Sequence, residues 1–147
     1  LKNNPSSRRI MTNIYNFEDL HEMNLYPCAY SMTFNVSGNK LNGILNQRSG
    51  DMLTANNWNV VQYAVLLHMF AQVSSLQVGE LVHVICDAHI YDRHVPIVKK
   101  IIENPTFKAP EFKINKDVKN FYDFTLDDFK LEGYECNTLN EKLEVAI

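Results

Sequence analysis

Strand-like alternation of apolar and polar residues marks three segments in the first third of the chain. These segments are residues 10–14, 28–36 and 41–48. A Ser-Gly-Asn-Lys turn separates the second segment from the third and is of the kind that closes a β-hairpin. We therefore predict that these two segments pair, with alternate residues from Leu41 onward on one face.

The longest apolar segment covers residues 58–73 and is apolar on nearly every side when it is drawn as a helix. A helix without a polar face belongs in the interior of a protein. Asn56 or Asn57 can cap its first turn. We therefore predict a buried hydrophobic helix packed against the sheet.

The remaining elements are shorter and of mixed type. From their spacing and turn residues we predict a helix at residues 17–23, a turn at 77–80 followed by a strand at 81–91, a helix at 95–103, and short strands or loops at 111–114, 121–124 and 129–134. This mixture makes the fold α/β (α+β), with residues 1–147 as a single domain.

The composition narrows the class of protein. The chain has 147 residues, of which 46 % are hydrophobic and 21 % charged, and this is ordinary for one soluble domain. A net charge of −3 argues against a broad nucleic-acid surface, so DNA is not an expected partner. A small phosphate ligand needs only a few grouped cations. No membrane-spanning run and no leader are visible, so we expect a cytoplasmic protein.

Cysteine and histidine spacing offers no metal site. The three cysteines are an odd number and widely separated, which disfavours a disulfide framework and a zinc centre. The histidines also lack metal-ligand spacing, so no metal is expected. The chain opens on Leu1-Lys2-Asn3, with no predicted element before Arg8, and therefore reads like the middle of a protein.

A cysteine and an anion-binding cluster are the most informative chemical features. Cys28 begins one predicted strand, and residues 47–51, which read QRSGD, end the next. If the two strands are neighbours, the Arg48 guanidinium can lie beside the thiol and favour the thiolate, the form that acts as a nucleophile. A buried structural cysteine is the commoner outcome, and Asp51 could simply accept hydrogen bonds within a turn. The pattern nevertheless indicates covalent chemistry on a phosphorylated substrate.

Five other positions have both a structural and a functional interpretation. Arg8 and Arg9 would usually be a solvated pair, but arginine is scarce here and suits planar phosphate recognition. Asn59 is either a cap or an amide that reads a base edge. His89 and Tyr91 alternate along the predicted strand, so they would project from one face as satisfied core groups or as ligand donors.

Seven motifs in the same order and spacing resemble those of thymidylate synthases. They are Ser7-Arg8-Arg9 with Tyr15-Asn16, Leu25-Tyr26-Pro27-Cys28, Gln47-Arg48-Ser49-Gly50-Asp51, Asn59-Val60, Asp87-Ala88-His89-Ile90-Tyr91, the segment from Tyr122-Asp123-Phe124 to Glu132-Gly133-Tyr134, and Val145-Ala146-Ile147. The resemblance covers the whole chain but only the C-terminal half or so of the family's domain. It implies that family's mixed sheet with a buried hydrophobic helix.

The resemblance also implies a reaction, the reductive methylation of dUMP with 5,10-methylenetetrahydrofolate to give dTMP and dihydrofolate, in a homodimer without a metal. Cys28 would attack C6 of the uracil. By the same resemblance, the phosphate would be bound by Arg48 and Ser49, with Arg8 and Arg9 reaching it from the partner subunit. The deoxyribose would be bound by His89 and Tyr91, and uracil N3 and O4 by Asn59 with Gln47 in support. The pterin beside dUMP would be bound by Asp51, and the folate by Ala146 and Ile147 at the closing C-terminal end.

The sequence departs from the family pattern at three places, and these keep two alternatives open. Ala29 stands where a histidine is common, residues 54–58 replace Leu-Gly-x-Pro-Phe, and Cys86 stands where glycine is usual. One alternative is a pyrimidine-nucleotide hydroxymethylase of the same fold, although Asn59 favours uracil because the cytosine-specific type carries Asp. The other is a non-catalytic, truncated fragment that binds nucleotide or mediates dimerisation.

Overall fold

The computed structural model describes residues 1–141 and 143, which fall into two units, Leu1–His89 and Ile90–Ile147. The assignments made above to Ala146 and Ile147 lie outside the described residues. Within the described part of the chain, neither helix combines the length and the apolar character that crossing a bilayer requires.

The predicted hairpin forms the centre of a four-stranded sheet in the first unit. β2 (Ala29–Ser37) and β3 (Lys40–Gln47) pair antiparallel. Gly38 in their turn has φ +60°, a left-handed conformation that glycine adopts without steric cost. β1 (Met11–Asn13) adds antiparallel beside β2. A later strand, described below, pairs parallel with β3 and completes the sheet.

The core lies on one face of this sheet. Leu41 and Leu45 of β3 are fully buried, together with Met32 and Phe34 of β2 on the same side. The predicted alternation along β3 is therefore confirmed. A helix closes this core with buried residues at four-residue spacing, the spacing that repeats along one helix face, namely Tyr63, Leu67 and Ala71.

The closing helix, α1 (Asn56–Val73), confirms the predicted helix but corrects two details. It is buried on one side only, because Trp58 is 80 % exposed and Val61 60 % exposed. No asparagine side chain caps it. The N-cap residue is Ala55, and Asn56 lies inside the first turn with its side chain turned toward the interior.

The strand predicted at residues 81–91 is displaced and interrupted. β5 (Gln77–Ile85) begins within the predicted turn, because parallel pairing with β3 gives residues 77–80 hydrogen-bond partners. The chain then bends and forms β6 (Ala88–His89), which pairs parallel with β4 (Gly50–Asp51). Tyr91 therefore lies outside any strand, and its predicted alternation with His89 along one strand is wrong.

The helix predicted at residues 17–23 is reduced to a single 3₁₀ turn at Leu20–Glu22. None of the residues in this turn is buried. A short helix that packs no apolar face lacks the tertiary contacts that stabilise most helices in proteins.

The outer sheet face, on the side away from α1, also carries apolar residues. Strand register aligns one row of side chains across all four strands on this side. The exposed apolar residues of the outer sheet face are Met11, Ile44, Val82 and Val84. The core does not account for these exposed apolar side chains.

The second unit contains α2 (Val95–Glu103), which matches the predicted helix, and an antiparallel pair of strands. β7 (Glu111–Ile114) matches its prediction, and β8 (Phe129–Glu132) is two residues shorter than predicted. The segment predicted as a strand or loop at residues 121–124 contains a 3₁₀ turn, Phe121–Asp123. Three stacked rings pack around the strand pair, those of Phe112, Phe124 and Phe129.

Candidate active site

The thiol of Cys28 and the guanidinium of Arg48 lie together at the end of the hairpin. The Arg48 backbone N–H donates to the Cys28 carbonyl oxygen at 2.9 Å, which continues the β2–β3 pairing by one residue. The Arg48 Nη2 atom lies 3.8 Å from the Cys28 Sγ atom. The sequence-based expectation that strand pairing brings these groups together is therefore confirmed.

Two backbone carbonyl groups hold the guanidinium in this position. Arg48 Nε donates to the Pro27 carbonyl oxygen at 3.0 Å, and Nη2 donates to the Tyr26 carbonyl oxygen at 2.7 Å. The fixed planar fork of arginine allows both bonds at once, which a lysine ammonium on a flexible stem would not reproduce. The half-buried Cys28 sulfur thus faces a permanent positive charge.

A cleft of about 450 Å³ opens beside the guanidinium. Its other walls are formed by the loop before the cysteine and by an aromatic ring, with lining residues Tyr15, Met23, Asn24, Leu25 and Tyr26. The Tyr15 hydroxyl donates to the Pro27 carbonyl oxygen at 3.2 Å. The cleft therefore combines apolar and aromatic surface with one fixed cation, as a site for an organic anion requires.

Arg48 and Ser49 form a two-residue break between β3 and β4, which we call the β3–β4 bend. The bend is held from both sides, because Gly50 N–H donates to the Asp87 carbonyl oxygen at 2.8 Å and Cys86 N–H donates to the Gln47 carbonyl oxygen at 2.9 Å. The Ser49 hydroxyl makes no hydrogen bond with the described residues. It is therefore available to a ligand beside the Arg48 side chain.

Gln47 supports this bend from the interior. The residue is only 2 % exposed. Its Nε2 atom donates to the Ser49 carbonyl oxygen at 2.7 Å, and its Oε1 atom lies 2.8 Å from His83 Nε2. Both ends of the amide are thus used within the protein.

Sequence reasoning missed His83, which was considered only as a metal ligand. Burial lowers the pKa of this imidazole below its ordinary value. The available signal was its alternation with Leu81 and Ile85 along the predicted strand, which places the ring on the core side, where a polar group needs a partner.

Asp51 connects the bend to α1. Its carboxylate accepts hydrogen bonds from the Leu53 N–H at 3.0 Å and the Thr54 hydroxyl at 2.5 Å. These bonds shape the turn that leads into the helix. They match the structural interpretation given above, in which Asp51 accepts hydrogen bonds within a turn. They use local donors and place the carboxylate between β4 and the start of α1.

Asn59 lies in the first turn of α1, and its side-chain oxygen is unpaired in the described part of the chain. Its Oδ1 atom is shielded from solvent and has no hydrogen-bond partner among the described residues, and the same holds for Asn56 Oδ1. A buried amide oxygen without a partner costs about 1–3 kcal/mol. Such an oxygen is available to a donor that enters with a ligand.

His89 ends β6, and its Nδ1 atom lies 3.5 Å from Asp87 Oδ1. In the second unit, the Tyr91 ring is exposed, with the Arg93 guanidinium 5.3 Å from its centroid and the His94 ring edge-to-face at 5.8 Å. These contacts orient each side chain within its own unit.

Arg8 and Arg9 precede β1 and are exposed. Their side chains form no hydrogen bond or ion pair with the described residues, although the Arg9 backbone N–H donates to the Ser7 hydroxyl at 3.2 Å. The structure does not bring them to Cys28 within one chain. In the described residues, no group of three or more His, Cys, Asp and Glu side chains is arranged to hold a metal.

Comparison with known proteins gives a consistent result. The sequence profile of the thymidylate synthase family matches residues 1–147. The chain is 47 % identical over 135 residues to a thymidylate synthase of Bacillus subtilis subsp. natto, covering 92 % of this chain and 48 % of that protein. A thymidylate synthase of Bacillus phage phi3T matches with the same identity and the same shares.

A solved structure gives the same answer for the fold. The thermostable thymidylate synthase A from Bacillus subtilis superposes with a TM-score of 0.88 at 44 % identity, covering 99 % of this chain and 51 % of that chain. The α+β fold expected from the sequence is confirmed. The chain spans about half the length of these relatives. The family profile, the similar sequences and the similar fold all agree, and the chain belongs to the thymidylate synthase family.

Proposed function

We propose that the protein to which this chain belongs converts dUMP to dTMP by reductive methylation with 5,10-methylenetetrahydrofolate as cosubstrate. Family membership supports the reaction class. The observation that carries the proposal is the 3.8 Å contact between Arg48 Nη2 and Cys28 Sγ, held by two carbonyl groups. A preorganised cation beside a nucleophilic sulfur serves the first chemical step and the binding of a nucleotide phosphate together.

In the first step, Cys28 Sγ forms a bond to C6 of the uracil ring, and the electron pair of the C5–C6 double bond moves onto O4 as an enolate. C5 is then nucleophilic and takes the one-carbon unit from the folate. Loss of the C5 proton then expels tetrahydrofolate and leaves an exocyclic methylene group at C5. The tetrahydrofolate transfers a hydride to this methylene, which gives the methyl group and dihydrofolate, and the electron pair expels the Cys28 thiolate from C6 and restores the C5–C6 double bond of dTMP.

The phosphate would bind at the β3–β4 bend. Arg48 Nη1 and the Ser49 hydroxyl make no bond with a described residue, so both are open to phosphate oxygens. Gln47 supports them from the interior rather than contacting the nucleotide. Arginine beside a hydroxyl is a common arrangement for charge-assisted phosphate binding.

Asn59 would read the base, because its shielded Oδ1 atom lacks a donor that uracil N3–H would supply. His89 and Tyr91 would hold the deoxyribose hydroxyl, as the family motif implies. Asp51 would meet the pterin, since its carboxylate lies where the bend leads into α1. Ala146 and Ile147 remain assigned by resemblance to the folate.

We propose further that the protein is a homodimer paired through the outer sheet face. Exposed apolar side chains on three of the four strands favour burial of this face against a second copy. Arg8 and Arg9 lie just before β1, at one edge of this face, with free guanidinium groups. They would cross the interface to the phosphate bound by the partner subunit.

We also propose a cytoplasmic location. The three cysteines are free in the described structure, which suits a reducing cytoplasm.

Covalent trapping tests the proposal. With methylenetetrahydrofolate present, 5-fluoro-dUMP should form a stable adduct, detected as an increase in intact mass, and Cys28→Ser should form none while still binding the nucleotide. Cys86→Ser is the matched control and should trap normally. An adduct on the Cys28→Ser variant would refute the assignment of Cys28 as the nucleophile.

A spectrophotometric assay should detect dihydrofolate, and a hydroxymethylated product without dihydrofolate would make the protein a hydroxymethylase instead. If neither product forms, whatever the oligomeric state, the non-catalytic fragment would be the favoured alternative.

A further inference from the structure

His83 is a half-buried polar residue that the reaction described above does not use. It lies on the core face of β5, opposite Leu45 of β3. We propose that His83 is a positioning residue for the phosphate site, acting through Gln47 on the β3–β4 bend. The proposal rests on the proposed function, because it assumes that the bend receives the phosphate of a nucleotide.

The first step of the argument is the direction of the hydrogen bonds. Gln47 Nε2 donates to the Ser49 carbonyl oxygen at 2.7 Å, which fixes which end of the amide is nitrogen. Gln47 Oε1 is therefore an acceptor, so the 2.8 Å contact requires His83 Nε2 to carry the proton. His83 N–H, the Gln47 amide and the Ser49 carbonyl form one directed chain. A flipped amide would set the Gln47 oxygen against the Ser49 carbonyl oxygen and lose that bond.

The second step concerns the Ser49 peptide, where this series of hydrogen bonds ends. The backbone on either side of Ser49 is held by two hydrogen bonds, from Arg48 N–H to the Cys28 carbonyl oxygen and from Gly50 N–H to the Asp87 carbonyl oxygen. The Ser49 carbonyl is held by Gln47. A Cβ atom at Gly50 would lie 3.1 Å from Gln47 Nε2, so glycine at this position leaves the amide room to reach under the bend. The orientation of the Ser49 peptide therefore depends on the Gln47 amide.

The third step separates positioning from direct contact. Gln47 is buried to 2 % exposure and uses both ends of its amide internally, so it acts on the bend from behind. Among the described residues, Cys28 and Asn59 make no hydrogen bond to His83, Gln47 or Ser49. Loss of His83 should therefore weaken phosphate recognition selectively and leave base recognition unchanged.

The experiment compares dUMP with deoxyuridine, which lacks the phosphate. Dissociation constants are measured by calorimetric competition for the complete enzyme, the His83→Phe variant and the His83→Gln variant. Phe keeps a flat ring without an N–H, whereas Gln restores a donor at similar reach. We expect His83→Phe to lower the preference for dUMP over deoxyuridine about tenfold, the size of a lost hydrogen bond that leaves a buried partner unpaired. His83→Gln should restore most of the preference.

A second variant keeps the test decisive if His83→Phe does not fold. Gln47→Met removes the same chain of bonds at its middle residue and should cause a loss of preference of the same size. The double variant should lose no more than either single variant, because both act through one chain. An equal loss of affinity for dUMP and deoxyuridine, or an unchanged preference in both variants, would overturn the inference. A wild-type enzyme without preference for dUMP would overturn the proposed phosphate site, and the inference with it.

Discussion

Replacing Asn59 by leucine should make the ligand-free protein more stable while it removes nucleotide binding. The Oδ1 atom of Asn59 is shielded from solvent and has no partner among the described residues. Leucine has nearly the same size and no polar atom to leave unpaired. The substitution therefore separates the role of Asn59 in binding from any role in holding the fold.

The expected gain follows from the cost of the unpaired oxygen. A buried acceptor without a partner costs about 1–3 kcal/mol, and leucine is also a better helix former than asparagine by a few tenths of a kcal/mol. Asn59 as a whole is only half-buried, so we take the lower part of that range. The free energy of unfolding should rise by about 1–2 kcal/mol, which raises the Tm by about 2–4 °C for each kcal/mol in a protein of this size.

The assay is thermal unfolding with and without dUMP, beside two control variants. Asn57→Leu changes an exposed residue in the same helical turn and should shift stability by less than about 0.5 kcal/mol. Asn56→Leu removes the other unpaired oxygen, at a residue that is 8 % exposed, and should also stabilise the protein. Saturating dUMP should raise the Tm of the wild type and of the Asn57→Leu variant but not that of the Asn59→Leu variant.

The decisive result is the sign of the change without ligand. If Asn59→Leu lowers the free energy of unfolding by more than about 1 kcal/mol, Oδ1 has a partner in the ligand-free protein and the reasoning fails. If the protein is stabilised but dUMP still raises the Tm by the wild-type amount, Asn59 does not read the base.

Three further predictions test the fold and the interface. The Tyr63 hydroxyl, whose pKa is raised by burial, donates to a carbonyl of β2 at 3.4 Å, so Tyr63→Phe should cost about 0.5–1.5 kcal/mol in urea unfolding; a neutral or stabilising result would contradict that bond. The pKa of Asp128 is lowered first by the Thr125 backbone N–H and then by the Asn115 amide. Its contribution to stability should therefore be complete above the ordinary carboxyl value of 3.8 and be lost as the pH falls through the lower folded value. Asp128→Asn should flatten this acid dependence in unfolding curves, and an unchanged slope would show that other groups cause it. Val82→Glu on the outer sheet face should shift sedimentation from dimer to monomer, whereas an unchanged dimer would place the interface elsewhere.

The hairpin and α2 could be predicted from sequence because local signals determine them. Residues 37–40 contain the glycine that the turn requires, and the helix at Val95–Glu103 has a proline in its first turn and ends before Asn104-Pro105. The parallel pairing of β5 could not be predicted in this way, since its partner lies about forty positions earlier and its first residues look like a turn. Partners that distant in sequence leave no periodic signal.

The residues of the candidate site show the same difference between local and long-range contacts. Cys28 and Arg48 were recognised because hairpin pairing makes their proximity a local property. The role of Gln47 as an internal support and that of His83 as its partner depend on the β3–β5 register, which only the fold supplies. The predicted cap at Asn56 failed because its side chain turns inward beside the bend instead of outward to the helix N-terminus.

The local origin of the Cys28–Arg48 pair has a consequence for the order of folding. The two residues are joined by one hairpin, and isolated hairpins form within about 1–10 μs. Pairing with β5 must close a much longer loop, which slows the search for that contact. We therefore expect the nascent polypeptide to present the reactive thiol beside its cation before the rest of the sheet has assembled. During synthesis the thiol would then be open to alkylating and oxidising agents, at a stage when no substrate can protect it.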